Sequence, residues 1–467
     1  MILIPLQPDA ATPLYEQIYQ NIKKKITDGT LACNTKLPSS RTLAEQLFIS
    51  RSTVNSAYEQ LLSEGYIYAK EKSGYFVADI SYSTTIELCS NSIEPDSLCV
   101  ESPKTPYSFS PFAIDTELFP YTVWRKLMNE AVASLNAQTL SLGDPIGDFE
   151  FRTAISEYLA QSRGVRCTPD QILIGAGTDY LLMLLCGLFT AELKIAMENP
   201  TYLRAYHVFC GLGRMVNPVS VTKTGIDIKK LSASDSSIAY VTPSHQYPLG
   251  AVMPVTHRRE LLDWAYSSPK RYIIEDDHDS EFRYKGLPIP SLQGMDTQGR
   301  VIYLGTFSRI IAPAIRVSYM VLPLELCRLY QQKFPHYSST VSRVDQRILT
   351  EFIRSGYLER HLNKMRKTYH QRHDALLHAL HCFGNSIDIS GEYAGLHLVV
   401  SFLNYGTEEN IQACASQAGM HLYSLKEHAI APVLISAPTF LLGFAGLSEQ
   451  EIKSSVAALY KELTKKL

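Results

Sequence analysis

Residues 37–66, LPSSRTLAEQLFISRSTVNSAYEQLLSEGY, decide the fold of the N-terminal part of this chain. Ser39 or Ser40 offers a side-chain oxygen to the free N–H groups of a helix whose inner face carries Leu43, Ala44 and Leu47. Phe48 to Ser50 make a short turn. Ser50 or Ser52 then caps a second helix, with Val54, Ala57, Tyr58, Leu61 and Leu62 facing inward. Two helices joined so closely predict a helix-turn-helix, whose second helix can enter a DNA major groove. The exposed start of that helix carries Arg51, Ser52, Thr53 and Asn55, side chains able to reach base edges and phosphates. Upstream, Leu14, Ile18, Ile22 and Ile26 recur about every four residues and predict an amphipathic helix that Asp28 and Gly29 end. Downstream, YIYAKEKSGYFVA (66–78) holds two short β runs around Lys70, Lys72 and Gly74, a hairpin wing. Three helices alone also suit a small docking domain; the wing favours a DNA reader.

Charge adds nothing to that argument. The net charge is −2, and basic and acidic residues balance over residues 1–80, so the case rests on where the charges sit. With 45 % apolar residues over 467 positions, the chain can bury large cores and is too long for one ordinary domain. The longest apolar run, Tyr180 to Ala191, is broken by Gly187 and suits a buried helix, so no membrane partner is expected. The N-terminus lacks a secretory pattern, and nine scattered cysteines without a CxxC pair suit reduced thiols, which together suggest a cytoplasmic protein. Residues 79–106 are rich in Ser, Thr and Pro and read as a linker.

From Tyr107 onward, short apolar strands alternate with amphipathic helices, the pattern of an α/β protein with a mostly parallel sheet. Several strands end in residues suited to chemistry. QILIGAGTDYLLMLL (171–185) runs strand, Gly-rich turn, helix, and Gly177 and Thr178 can offer N–H groups to a phosphate. Tyr202 follows a strand end, where an aromatic side chain can stack on a flat ring; His245 and Gln246 follow another. RYIIEDDHDSEFRY (271–284) ends a strand in Glu275, Asp276 and Asp277, and a carboxylate there can pair with a pyridinium nitrogen. VIYLGTFSRIIAPAIRVSYMVLP (301–323) brings Thr306, Ser308, Arg309 and Arg316, the mixture of hydroxyls and guanidinium that a phosphate needs. His370 and His373, three apart, have no acidic or Cys partner to complete a metal site. With Lys364, Arg366, Lys367 and Arg372 they read as a solvated helix face, and no metal is expected.

Residues 37–66 resemble the GntR-family signature LPSSRxLAxxLxxSRxTVxxAYxxLxxxGY. The later series resembles fold-type I aminotransferases. Nearly the whole chain, including AGLHLVV (394–400) and FLLGFAGLSEQEI (440–452), resembles MocR-type transcription regulators, in which such a body follows a GntR head. The resemblance implies a multidomain protein. An α+β winged helix-turn-helix occupies residues 10–80 and a linker residues 81–106. An α/β aminotransferase-like body with large and small subdomains, which senses an effector and dimerises, occupies residues 107–467. It implies a homodimer on double-stranded operator DNA, with Arg41, Arg51, Ser52, Thr53 and Gly74 at that interface. It implies pyridoxal 5′-phosphate as cofactor. Tyr202 would stack on its ring, Asp276 would pair with the ring nitrogen (Asp277 being the next candidate), and Gly177, Thr178, Ser308 and Arg316 would hold the phosphate. Arg204 matches a position that binds the carboxylate of a small amino-compound effector.

The pattern breaks at three places. The family motif GTFSK carries the Schiff-base lysine, and this chain reads GTFSR, with Arg309 in that position. A guanidinium stays protonated and forms no stable imine with an aldehyde, so the cofactor is expected to bind without a covalent bond. His278 stands where relatives carry Tyr, beside the ring oxygen. SAPTFLLGFAGL (436–447) lacks the carboxylate-binding arginine of the enzymes. A ligand-sensing regulator without turnover fits best. An active aminotransferase with an accessory DNA-binding domain and a cofactor-free dimerisation scaffold are the alternatives.

Overall fold

The computed structural model describes residues 4–7, 12–71, 73–80, 106–284 and 290–465. Lys72 and, apart from Pro106, the expected linker over 81–106 lie outside the described residues. The chain divides into two compact units, Met1–Ser102 and Pro103–Leu467.

In the first unit, helices α1 (Leu14–Thr27), α2 (Ser40–Leu47) and α3 (Arg51–Ser63) precede an antiparallel hairpin of β1 (Ile67–Lys70) and β2 (Gly74–Val77). The capping serines act as their chemistry dictates. Ser39 accepts from the Thr42 N–H at 3.1 Å and Ser50 from the Thr53 N–H at 3.2 Å. Ile18, Ile22 and Ile26 of α1 meet Leu43, Val54, Ala57, Tyr58 and Leu61 in one core. Leu62 departs from expectation and is 39 % exposed, because one residue past Leu61 turns the side chain roughly 100° around the helix, out of the apolar face. Phe48 turns the chain from α2 toward α3 in the left-handed region (φ 54°) with its ring in solvent.

The second unit opens with β3 (Tyr107–Ser108). Helices α4 (Tyr121–Ala133) and α5 (Phe149–Arg163) follow, then β4 (Ile172–Gly175), α6 (Thr178–Leu188), β5 (Ile195–Asn199) and α7 (Leu203–Gly211). The remaining strands of the large sheet are β6 (Val216–Thr222), β7 (Gly225–Ile226), β8 (Ile238–Val241), β9 (Tyr272–Asp276), β10 (Val301–Thr306) and β11 (Ser318–Val321). Their order is β4-β11-β10-β9-β8-β5-β6-β7. The central pairs β10/β9, β9/β8, β8/β5 and β5/β6 are parallel, while β11 and β7 run against their neighbours. The central strands β8 and β9 are buried along their length, apolar until β9 ends in Glu275 and Asp276, as a sheet covered on both faces requires.

A smaller antiparallel sheet uses β12 (Ile387–Ser390), β13 (His397–Phe402), β15 (Tyr423–Ser424) and β16 (Thr439–Gly443), while β14 (Met420–His421) pairs with β3. The segment leading out of β3 is pinned there. The Gly443 N–H donates to the Phe109 carbonyl at 2.9 Å, and a Cβ on Gly443 would fall 2.0 Å from the Ser110 oxygen, so only glycine permits that approach. The helix Tyr357–Leu380 corrects one expectation: His373 is buried and stacks on Tyr284 at 4.6 Å, and Arg372 bonds Asp115 and the Ala445 carbonyl, because this face of the helix packs against the body. Lys364, Lys367 and His370 stay in solvent. Among the described residues no helix is long and apolar enough to cross a membrane.

One buried ion pair ties the sheet to its covering helices. Arg163, at the end of α5, grips Asp277 through Nε (2.7 Å) and Nη2 (3.2 Å), and the Tyr303 hydroxyl donates to the same carboxylate at 2.6 Å. Burial pushes the Asp277 carboxyl up, but Arg163 and Tyr303 outweigh it and hold it below its ordinary value. Its contribution is therefore present above the usual carboxylate range and is lost as pH falls through the lowered value. Asp277→Ala leaves a buried guanidinium without its partner and should cost about 3–5 kcal/mol, read as a fall in the melting temperature at neutral pH. A loss below about 1 kcal/mol, the size of a surface pair, would contradict this assignment.

Candidate ligand cavity and DNA-facing surface

In an open α/β sheet the C-terminal ends of parallel strands gather at one edge, and ligands bind there. Here the turn after β4 brings Thr178, the turn after β5 brings Tyr202 and Arg204, and the turn after β8 brings Tyr247. β9 ends in Asp276 and is followed by His278; β10 leads into Thr306, Ser308 and Arg309; Arg316 and Ser318 enter β11. With Phe112 and Ile114 from the segment after β3, these residues line a single cavity of about 240 Å³. Residues as far apart in sequence as Phe112 and Ser318 thus line one cavity.

One end of the cavity is an arrangement of donors. Gly177 caps α6 with φ +97°, and a Cβ there would lie 2.3 Å from Arg316 Nη2, so a side chain would displace the guanidinium. Arg316 is itself held at φ 51° and faces Asp179 at 3.5 Å. Ser318 donates to Thr306 Oγ1 at 2.9 Å and lies 3.5 Å from Thr178 Oγ1. The Ser308 hydroxyl oxygen is buried and has no partner. A helix N-terminus, a guanidinium and an unengaged hydroxyl form a cradle for an anion.

At the centre lies Asp276. Strand alternation sends it and Asp277 to opposite faces of β9, which separates the two candidates: Asp277 is held by Arg163, and Asp276 faces the cavity. Tyr240 donates its hydroxyl to Asp276. Burial pushes the Asp276 carboxyl up, while His278 and Tyr240 pull it back. Such a carboxylate needs a cationic or N–H partner from whatever occupies the cavity. Glu275, the third acid of the run, accepts the Leu292 and Gln293 N–H groups (2.7 and 2.8 Å) and plays no part in the cavity.

The aromatic wall is Tyr202, Tyr247 and Phe112, with ring centroids 5.5–6.0 Å apart. Phe112 and Tyr247 were not anticipated from sequence. Tyr247 sits inside a stretch whose polar neighbours drew attention instead, and Phe112 belongs to a segment without periodicity. His278 lines the cavity with its Nε2 3.4 Å from Asp279, which also takes the buried His245 at 3.0 Å. Burial pushes the Asp279 carboxyl up, but the two imidazoles outweigh it and hold it low. Arg309 donates from Nη2 to the Pro111 carbonyl at 2.6 Å, and its Nε is buried without a partner. Arg204 is exposed at the rim.

In the N-terminal unit the residues expected at DNA do not behave alike. Arg51 and Ser52 are exposed at the start of α3, and Arg51 Nε lies 3.4 Å from Ser40 Oγ. Thr53 is half-buried, with its hydroxyl 2.8 Å from Ser50 Oγ in the helix cap. Arg41 is exposed and lies 3.1 Å from Glu45 along α2. Gly74 opens β2 at φ +103°, just past the wing's turn.

Comparison with known proteins accords with both units. The family model "Bacterial regulatory proteins, gntR family" matches residues 14–77, and "Aminotransferase class I and II" matches residues 112–459. The HTH-type transcriptional regulator YdeL of Bacillus subtilis is 40 % identical over 455 residues, covering 96 % of each chain. The HTH-type pyridoxine biosynthesis transcriptional regulator PdxR of Corynebacterium glutamicum is 31 % identical, covering 85 % of each chain. Among solved structures, the Pyrococcus horikoshii kynurenine aminotransferase shares the fold of the body, with a TM-score of 0.68 at 24 % identity over 77 % of this chain and 91 % of that one. The chain therefore belongs to the MocR-type HTH transcriptional regulators, DNA-binding proteins in which a gntR-family winged helix precedes an aminotransferase-like body.

Proposed function

We propose that this regulator holds pyridoxal 5′-phosphate in the cavity of its body without a covalent bond, and that occupancy by this cofactor, together with a small amino compound, changes how it engages operator DNA. The observation that carries the reading is the convergence of Asp276, Tyr202, Ser308 and Arg316 on one cavity that also holds Arg309 in the place of the family's lysine. The residues fit the cofactor. The buried, unpartnered Ser308 hydroxyl and the Gly177–Arg316 contact suit its phosphate, with Thr178 at the helix N-terminus. Asp276 suits the ring nitrogen, Tyr202 the ring face, and His278 the ring oxygen. When bound, that cofactor supplies an electron-withdrawing ring and an aldehyde. Arg309 offers this aldehyde no nucleophile, which separates sensing from turnover. Arg204 at the rim suits the carboxylate of the amino compound. The reading places the protein in the cytoplasm as a homodimer, as expected of a regulator that reads a two-fold operator. Arg51 and Ser52 would meet bases and phosphates, with Arg41, Thr53 and Gly74 shaping the surface around them.

Two measurements bear on this function. Arg51→Ala should weaken operator binding by about 1–3 kcal/mol if the side chain reads a base, measured as affinity over a salt series. The same change on operator and random DNA would assign Arg51 to a phosphate instead, and no change on either would remove it from the interface. Arg309→Lys with added pyridoxal 5′-phosphate should give a visible absorption band, because an amine held beside a bound aldehyde condenses with it, releasing water. Borohydride should then fix a pyridoxyl group at position 309, and the parent protein should take up none there. A folded Arg309→Lys variant that stays colourless would favour the scaffold alternative.

A further inference from the structure

Arg309 is tied to the protein through one end of its guanidinium. One edge of its planar guanidinium bonds the Pro111 carbonyl, and Pro111 lies in the segment that Gly443 pins by direct backbone contact. Nε of the same group is buried with no acceptor. Among the described residues no carboxylate lies within ion-pair distance of Arg309. Of the acids around the cavity, Asp179 faces Arg316 at 3.5 Å, Asp279 takes His245 and His278, and Asp276 accepts from Tyr240 and is left for the ring nitrogen on the cofactor reading. A guanidinium is always charged and carries donors only. Whatever ligand group meets this edge must accept a hydrogen bond, and a second cation there would be repelled in a partly desolvated site.

We infer that Arg309 makes the cavity selective for the oxidation state of its ligand at the carbon that the family's lysine would engage: the aldehyde is held and the protonated amine is rejected. The inference rests on the cofactor reading above. An aldehyde oxygen is neutral and accepts; an ammonium group is cationic and only donates, so it meets Arg309 charge to charge and donor to donor. Asp276, Tyr202 and the phosphate cradle contact parts of the cofactor that the two forms share, and they do not discriminate. The body therefore distinguishes the two forms that amino-group transfer interconverts, although it lacks the lysine to perform that transfer itself.

The test is equilibrium binding of pyridoxal 5′-phosphate, pyridoxamine 5′-phosphate and pyridoxine 5′-phosphate to the full-length protein and to Arg309→Gln, followed by calorimetry. The parent protein should bind the aldehyde at least about tenfold more tightly than the amine, with the uncharged alcohol between them. A glutamine amide both donates and accepts, so Arg309→Gln should bring the affinities for the aldehyde and the amine to within about threefold. Equal affinities in the parent protein, or tighter binding of the amine, would overturn the inference and leave the cofactor reading intact. Binding of none of the three would overturn both. The ratio in the parent protein decides the matter whether or not the variant folds.

Discussion

The Arg163–Asp277 ion pair is the contact on which the cavity depends. It joins the end of α5 to the end of β9 inside the protein, with Tyr303 of the neighbouring strand closing the carboxylate's remaining lone pairs. Adjacent residues of a strand point to opposite faces, so fixing Asp277 on the helix side forces Asp276 to the cavity side. That placement is costly alone, since a buried carboxylate without a cation is destabilising. The Tyr240 hydroxyl meets part of the demand, and the rest is left to a ligand. A structural ion pair on one side of a strand thus creates a binding demand on the other.

Much of this could be read from the residues. The head was legible because capping serines, apolar spacing and turn length agree; among the described residues the structure departs at Leu62, which falls past the edge of the apolar face, and at Thr53, whose hydroxyl turns into the helix cap. Strand-end residues of the body were legible because an α/β sheet collects them at one edge; Thr178, Tyr202, Asp276, His278, Ser308, Arg309 and Arg316 follow that rule. The choice between Asp276 and Asp277 was not, because both end the same strand and only the three-dimensional position of Arg163 separates them. Phe112 was not legible either. Its place over the cavity comes from backbone bonds to Gly443 and from the pairing of β3 with β14, contacts more than 300 residues away in sequence. His373 failed for the same reason, since its burial depends on Tyr284 of a distant segment.

On the proposed reading, Arg309 offers its ligand a chemistry that a lysine in the same place would not. Lysine and arginine share charge but not geometry: the first is a flexible nucleophile when deprotonated, the second a fixed fork of donors. In this cavity the fork has a second attachment, the Pro111 carbonyl, which joins the floor of the cavity to the segment that carries Phe112. Phe112 in turn packs against Tyr202 and Tyr247. Arg309, the aromatic wall and the covering segment are therefore joined by one continuous chain of contacts.

That linkage supplies a physical route from ligand to response. Ser308 Oγ and Arg309 Nε are buried without protein partners, and a ligand that meets such groups gains roughly what an unmet buried polar group costs, about 1–3 kcal/mol each. A ligand that satisfies them stabilises the closed arrangement of the Phe109–Ile114 segment over any alternative in which that segment is released, and only such a difference between states can shift a population. The covalent bond of the related enzymes is not needed for this. A bond to lysine would hold the cofactor through every change of conformation and blunt the response to its concentration. On the proposed reading, reversible occupancy governed by a few oriented donors would let ligand concentration shift the equilibrium between states.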